Sequence, residues 1–197
     1  MNKTLLAASI VTGLSIFTFS ASASNSGKST ISLGYAQSNS SQNNLGENSI
    51  NNAKLKKQQH GLNLKYRYEI DERFGVISSL TYTLQSQEDI YPHSSSKFKW
   101  QNMSLMAGPT YRFNNYISVY GLIGATNSKI SFSESEDKSK FSDTALSYGA
   151  GLQFNVTSNI TIDASYEYTK LKYNISKINH VINSNLRTWV LGVGYSF

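Results

Sequence analysis

The chain has 197 residues, with 18 Lys and Arg against 12 Asp and Glu, a formal net charge of +6, no cysteine, and two prolines beside 13 glycines and 13 tyrosines. Without a thiol there is neither a disulfide framework nor a thiolate metal site. The positive charge is modest, so its distribution carries more information than its sum.

Met1 to Lys3 supplies one positive charge, Leu5 to Phe19 is uncharged and mostly apolar, and Ala21-Ser22-Ala23 gives a small-residue cleavage pattern. These are the three parts of a secretory signal. The apolar run falls short of the roughly 20 residues a membrane-spanning helix needs. Residues 1–23 are therefore expected to be a signal peptide, and 24–197 a single domain that is periplasmic, secreted or a β-barrel.

Beyond the signal, apolar and polar residues alternate with period two in eight runs, as strands with two unlike faces require. The first sets Ile31, Leu33 and Tyr35 against Thr30, Ser32 and Gly34, and the second Leu62, Leu64, Tyr66 and Tyr68 against Asn63, Lys65, Arg67 and Glu69. The third has Val76, Leu80, Tyr82 and Leu84 on its apolar side, and the fourth Met103, Leu105, Ala107, Tyr111 and Phe113 opposite Ser104, Gly108, Thr110 and Arg112. Ile117 to Ile130 is the least regular, because Tyr120 and Leu122 interrupt its polar face. The sixth places Leu146, Tyr148, Ala150, Leu152 and Phe154 opposite Ser147, Gly149, Gly151 and Gln153. The seventh sets Ile160, Ile162, Ala164, Tyr166 and Tyr168 against Thr161, Asp163, Ser165 and Glu167. The eighth carries Trp189, Leu191, Val193, Tyr195 and Phe197 on one face.

Aromatics at both ends of that last face, with aliphatics between, match the two girdles and lipid band of a transmembrane barrel strand, so Tyr195 and Phe197 read as a C-terminal outer-membrane signature. The connections alternate as well. Long polar ones lie near Ser38–Gln59, Gln85–Lys97, Ser131–Asp143 and Leu171–Asn185; short ones lie near Ile70–Arg73, Asn114–Asn115 and Val156–Asn159. The fold class expected is all-β, an eight-stranded antiparallel transmembrane β-barrel with long extracellular loops and short periplasmic turns.

On this register Lys65, Arg67, Glu69, Arg112, Asp163 and Glu167 all point inward. A barrel of eight strands is just wide enough for side chains to fill it, so these six charges are expected to pair within a closed interior. Their balanced signs favour a structural network over acid–base catalysis, and the narrow interior disfavours a conducting pore. Inward Gly149 and Gly151 carry no dinucleotide fingerprint, since no helix follows; they are expected to leave room for bulky neighbours.

Gly61-Leu-Asn-Leu-Lys-Tyr-Arg-Tyr-Glu69, Ala107-Gly-Pro-Thr-Tyr-Arg112, Tyr148-Gly-Ala-Gly-Leu-Gln-Phe-Asn155, Ser165-Tyr-Glu167 and Gly192-Val-Gly-Tyr-Ser-Phe197 resemble the OmpX/Ail family of enterobacterial outer-membrane proteins. The resemblance covers the whole barrel in order and spacing but not the loops. It implies a multi-pass protein of the bacterial outer membrane with extracellular loops. It also implies adhesion to host cells or matrix, serum resistance through complement regulators, or a stress-related structural role without a host partner.

The loops have chemistry of their own. Loop one holds Glu47, Lys54, Lys56 and Lys57, and loop four holds Lys170, Lys172, Lys177 and Arg187 with no carboxylate. Loop three is acidic, with Glu134, Glu136, Asp137 and Asp143 against Lys138 and Lys140. Loops one and four join strands that become neighbours on closure, so one basic rim patch is expected, suited to sulfated glycans, acidic host proteins or lipopolysaccharide phosphates. Phe98 stands between Lys97 and Lys99, and Trp100 follows: Trp100 is expected as an interfacial anchor, with adhesive contact by the Lys-Phe-Lys-Trp run as the alternative.

His60, His93 and His180 lie apart and lack ligand spacing, so no metal, cofactor or catalytic residue is assigned. No nucleic-acid partner is expected, and the chain is expected to be a monomer. An outer-membrane hydrolase or acyltransferase would need an imidazole beside a carboxylate and serine, with His60 or His180 as the raw material.

Overall fold

A computed structural model describes residues 28–42, 58–91, 94–134, 137–175 and 180–197. Eight antiparallel strands pair in chain order: β1 (Ser29–Gln42), β2 (Gln58–Glu69), β3 (Phe74–Tyr91), β4 (Ser94–Arg112), β5 (Ile117–Glu134), β6 (Asp137–Asn155), β7 (Ile160–Ile175) and β8 (His180–Ser196). β8 returns to β1 through pairs from Thr30↔Ser196 to Gln42↔Ser184, and this closes the barrel. The residues 1–27, which include the proposed signal, lie outside the described residues, as do Lys54, Lys56, Lys57, His93 and Lys177.

Closure explains the alternation. With the sheet rolled shut, one face of every strand meets hydrocarbon and the other meets the interior. Leu33, Leu62, Leu105, Ile123, Leu152, Leu191 and Val193 are all more than half exposed on the outside, where a lipid-facing charge would cost about 2–4 kcal/mol at the midplane. Aromatic side chains collect at both margins of this band. Phe74 packs on Tyr111 at 5.1 Å and Tyr111 on Phe113 at 5.0 Å near the short turns, while Tyr148 packs on Tyr168 at 5.2 Å and Tyr166 on Trp189 at 4.7 Å near the opposite rim.

The three short turns share one wiring. Ile70 N, Phe113 N and Val156 N each donate to the carbonyl four residues on, of Phe74, Ile117 and Ile160. In each, the next side chain accepts two backbone N–H bonds: Asp71 from Arg73 and Phe74, Asn114 from Tyr116 and Ile117, Thr157 from Asn159 and Ile160. Asx and Ser/Thr side chains that mimic a turn's backbone carbonyl are the residues such turns select.

At the other rim the strands run well past the boundaries that alternation suggests. β3 continues to Tyr91, β4 begins at Ser94, β5 reaches Glu134 and β7 reaches Ile175, so most of loops two, three and four is paired hairpin. Ladder hydrogen bonds need only backbone. Above the membrane no lipid face imposes alternation, so a polar Ser/Gln/Lys run forms strand without displaying the period.

The irregular fifth run has an equally physical cause. Tyr120 and Leu122 do face inward, where they join Ile77 and Met106 as a buried apolar cluster. Room for it comes from inward glycines: a Cβ on Gly151 would lie 2.3 Å from the Tyr120 ring, and one on Gly124 would meet the β4 backbone, 2.1 Å from the Leu105 carbonyl oxygen, as well as Met106 Cγ at 2.8 Å. The β4–β5 ladder passes from Ala107↔Ile123 to Thr110↔Tyr120 without pairing Gly108 or Pro109. Pro109 has no N–H to give, and Gly108 lies so close that a Cβ would sit 1.9 Å from the Gly121 carbonyl oxygen.

Candidate functional site

The charged layer of the interior is built from inward residues of β2, β4 and β7, with Gln153 of β6. Lys65, 1% exposed, forms an ion pair with Asp163 and donates to Ser165 Oγ at 2.9 Å. The other carboxylate oxygen of Asp163 accepts the Tyr120 hydroxyl at 2.8 Å, so the apolar cluster and the ion pair share a residue. Glu69 lies between two guanidinium groups, with Arg67 at 3.2 Å and Arg112 in direct contact, and Arg67 Nη1 donates to Gln153 Oε1 at 2.8 Å. Glu167 is held by hydroxyls, Ser79 at 3.3 Å and Thr81 at 3.0 Å, which in turn accept from Asn63 Nδ2. Each buried charge therefore has partners, the condition for keeping ions out of water.

Toward the rim of the hairpins the interior changes from charge to hydroxyl. Thr126, Ser147 and Thr169 bond one another in a triangle of 2.6, 3.1 and 2.7 Å, and Ser38 meets Thr188 at 2.6 Å. The void among these layers, lined in part by Ser104, Thr126 and Glu167, has a volume of about 10 Å³, room for about one water. Among the described residues the interior is filled rather than porous.

Above the barrel the wall divides. The β6–β7 ladder ends at Ser147↔Thr169, yet β5–β6 pairing continues to Glu134↔Asp137 and β7–β8 pairing to Ile175↔His180. On the other side β2–β3 pairing ends at His60↔Leu84 while β3–β4 continues to Tyr91↔Ser94. A four-stranded sheet from β3 to β6 thus rises separately from one formed by β7, β8 and β1. Among the described residues its unpaired edges are β3 beyond Leu84 and β6 before Ser147.

Lys170 is exposed on the outward face of β7, and Lys172 pairs by backbone with Asn183. Phe98 occupies a backbone position opposite Gln87 and Phe132 in the rising sheet. Trp100, expected as an interfacial anchor, shares its strand face with inward Asn102 and Ser104 and is half-buried. The parity of β4 turns it to the barrel side, and Trp189, Tyr166 and Tyr148 form the outer girdle.

Beyond the expected rim patch, which already held Arg187, there is an outward basic belt. Lys99, Lys129 and Arg187 are exposed on the faces that carry Leu105, Ile123 and Leu191, just beyond the upper aromatics. Counting parity from the lipid-facing residues would have found them. His60, also outward, stacks on Tyr35 with ring centroids 5.9 Å apart and touches its hydroxyl through Nδ1. That pair contains neither the carboxylate nor the serine a hydrolytic site needs. Among the described residues no group of three or more His, Cys, Asp or Glu is placed to hold a metal.

With this geometry in view, comparison with known proteins is specific. The family model for the outer membrane protein beta-barrel domain matches residues 9–197. The chain is 42% identical over 200 residues to the attachment invasion locus protein of Yersinia enterocolitica, covering all of both chains. It is 37% identical over 186 residues to outer membrane protein X of Escherichia coli strain K12, covering 92% of this chain and 93% of that one. The crystal structure of Ail, the attachment invasion locus protein of Yersinia pestis, in complex with the heparin analogue sucrose octasulfate, superposes with a TM-score of 0.73 at 40% identity, over 87% of this chain and 99% of that one.

Proposed function

Because the chain belongs to the outer membrane protein β-barrel family, with the attachment invasion locus protein and outer membrane protein X as relatives, we propose that this outer-membrane barrel is an adhesin working through its extracellular hairpins. The observation that carries the reading is the divided wall. Two sheets stand clear of the membrane, and among the described residues their strand edges have no neighbouring strand beyond Ser147↔Thr169 and His60↔Leu84. Free edges and mixed basic and aromatic side chains are what an extended protein partner or an anionic polymer recognises.

A sulfated glycan is the partner class best matched to loops one and four. Lys54, Lys56, Lys57, Lys170, Lys172 and Lys177 would supply the charge, and the related Ail structure holds a sulfated heparin analogue. Matrix proteins and complement regulators are further partners of the same surface, in keeping with the adhesion the relative's name records. Catalysis plays no part in this reading.

The test is retention of the detergent- or nanodisc-embedded protein on immobilised heparin as salt is raised. Wild type is expected to bind and to elute as screening grows. The variant with all six lysines changed to Gln is expected to flow through. Unchanged retention of that variant would remove the glycan reading. A cell-attachment assay on bacteria expressing wild type or hairpin-deleted protein tests adhesion itself. A barrel serving only membrane integrity would give equal attachment in both.

A second role is favoured by the outward belt. Lys99, Lys129, Lys170 and Arg187 stand where lipopolysaccharide phosphates would meet the barrel wall, and basic side chains there gain from anionic head groups. Neutralising Lys99, Lys129 and Arg187 together is expected to reduce lipopolysaccharide co-purification while leaving heparin retention in place.

A further inference from the structure

The mouth at the short-turn end holds a feature that neither adhesion nor lipid contact uses. Lys28, Arg112, Asn115, Tyr116, Asn155 and Thr157 line an open cup of about 490 Å³, in which Ser158 and Val156 complete the wall. That volume falls in the range of about 300–1,000 Å³ typical of small-molecule pockets. We propose that this cup is an anion site, taking a phosphate or carboxylate group presented from the periplasm.

Charge is the first argument. Glu69 is the only carboxylate in contact with Arg67 and Arg112 in the described structure. Two guanidinium groups sharing one carboxylate leave a surplus positive charge, which reaches the cup through Arg112, since Arg67 is buried and outside the lining. Lys28, exposed at the rim, adds another and has no ion pair among the described residues. Arg112 is fixed by its bond to Glu69, its Nε is buried without a hydrogen-bond partner, and its side chain, which lines the cup, keeps 19% exposure. A guanidinium held in place in this way offers preorganised donors to an oxyanion.

Neutral donors surround this pair. Thr157 Oγ1 accepts two backbone N–H bonds, which leaves its own proton free to donate. Asn155 Nδ2 donates to the carbonyl of Asn115, tying the turn after β4 to the end of β6 across the mouth. The walls are therefore cross-braced rather than two independent turns.

Position decides which anion sources fit. The cup lies inside the ring of turns, whereas Phe113, Phe154, Tyr195 and Phe197 face outward into the bilayer margin. A lipid head group beside the wall would have to cross that aromatic ring. A soluble phosphate, or the carboxylate end of a periplasmic peptide polymer, approaches along the barrel axis without obstruction.

The experiment is an NMR titration of the full-length barrel in uncharged micelles, in phosphate-free buffer at low salt. Two probes separate the sources: inorganic phosphate, and muramyl dipeptide, which carries one free carboxylate, with its methyl ester as the uncharged control. Saturable shifts confined to the backbone amides of Lys28, Asn115, Tyr116 and Ser158 are expected for at least one charged probe. The site belongs to free phosphate if only phosphate saturates, and to a peptide carboxylate if only the dipeptide does; saturation by both supports the shared chemistry. Lys28→Gln is expected to weaken binding by about threefold to tenfold, the effect of one water-screened charge–charge contact of roughly 1 kcal/mol at about 4 Å. Arg112→Lys keeps the charge but loses the fork; it is scored only after heat-modifiable gel migration shows a closed barrel, and it is also expected to weaken binding. Linear, non-saturating shifts with both probes, equal shifts with the methyl ester, or binding unchanged in Lys28→Gln would each overturn the site.

Discussion

At the scale of single residues the protein is governed by what must not face lipid. Lys65 and Asp163 are each 1% exposed and answer one another, so removing either leaves an unpaired ion in the interior. Lys65→Met and Asp163→Asn are each expected to lower stability by about 3–5 kcal/mol, while the double change Lys65→Met with Asp163→Leu costs less than either alone. Urea unfolding of the folded barrel in lipid vesicles measures all three. Gly151→Ala places a methyl 2.3 Å from the Tyr120 ring, and overpacking of this kind is expected to cost about 1–3 kcal/mol. Tyr120→Leu introduced beside it is expected to recover part of that loss by clearing the clash. The charges and glycines were legible as inward residues from parity alone. Their partners were not: strand alternation says which face a side chain takes but nothing of the strand it meets across the barrel, and Tyr120 reaches Asp163 from 43 residues away.

At the scale of elements, strands and turns answer to different solvents. Leu191 is 63% exposed on β8 in the lipid band, and Leu191→Arg is expected to destabilise the barrel by about 2–4 kcal/mol. The same change nearer the margin, at Tyr195, is expected to cost less; vesicle unfolding distinguishes the two. The β2–β3 turn carries a pH dependence of its own. Backbone N–H bonds from Phe74 and Arg73 hold the fully exposed Asp71 carboxyl below its ordinary pKa. A depressed folded pKa means the carboxylate supports the turn fully above the unfolded value of roughly 3.9, and that support fades as pH falls through the folded value. Amide exchange at Arg73 and Phe74 is therefore expected to quicken below about pH 4. The Asn114 turn, wired alike but without a titrating group, is expected to hold steady. Equal acid sensitivity in both turns would refute this account. Strand existence was legible throughout the lipid band because hydrocarbon enforces the period, and hairpin length above it was not, because water enforces none.

At the scale of the whole molecule, closure seals one environment from another. The interior void has room for about one water, so the protein in a planar bilayer is expected to pass no steady ion current; sustained single-channel steps would contradict the filled interior. N-terminal sequencing of protein recovered from outer membranes is expected to begin at Ser24, and a start at Met1 would remove the export signal proposed for residues 1–23. By itself the sequence determined the eight-stranded closed sheet, its lipid face, its ionic interior and its membrane, because each follows from a local rule that repeats along the chain: a side chain every second residue must suit oil or be hidden from it. Only the tertiary structure decided that the outer wall parts into two sheets, that Tyr120 meets Asp163 across the barrel, and that Lys28 and Arg112 share a cup. Those depend on register between strands remote in sequence, and backbone pairing fixes register only once the barrel has closed.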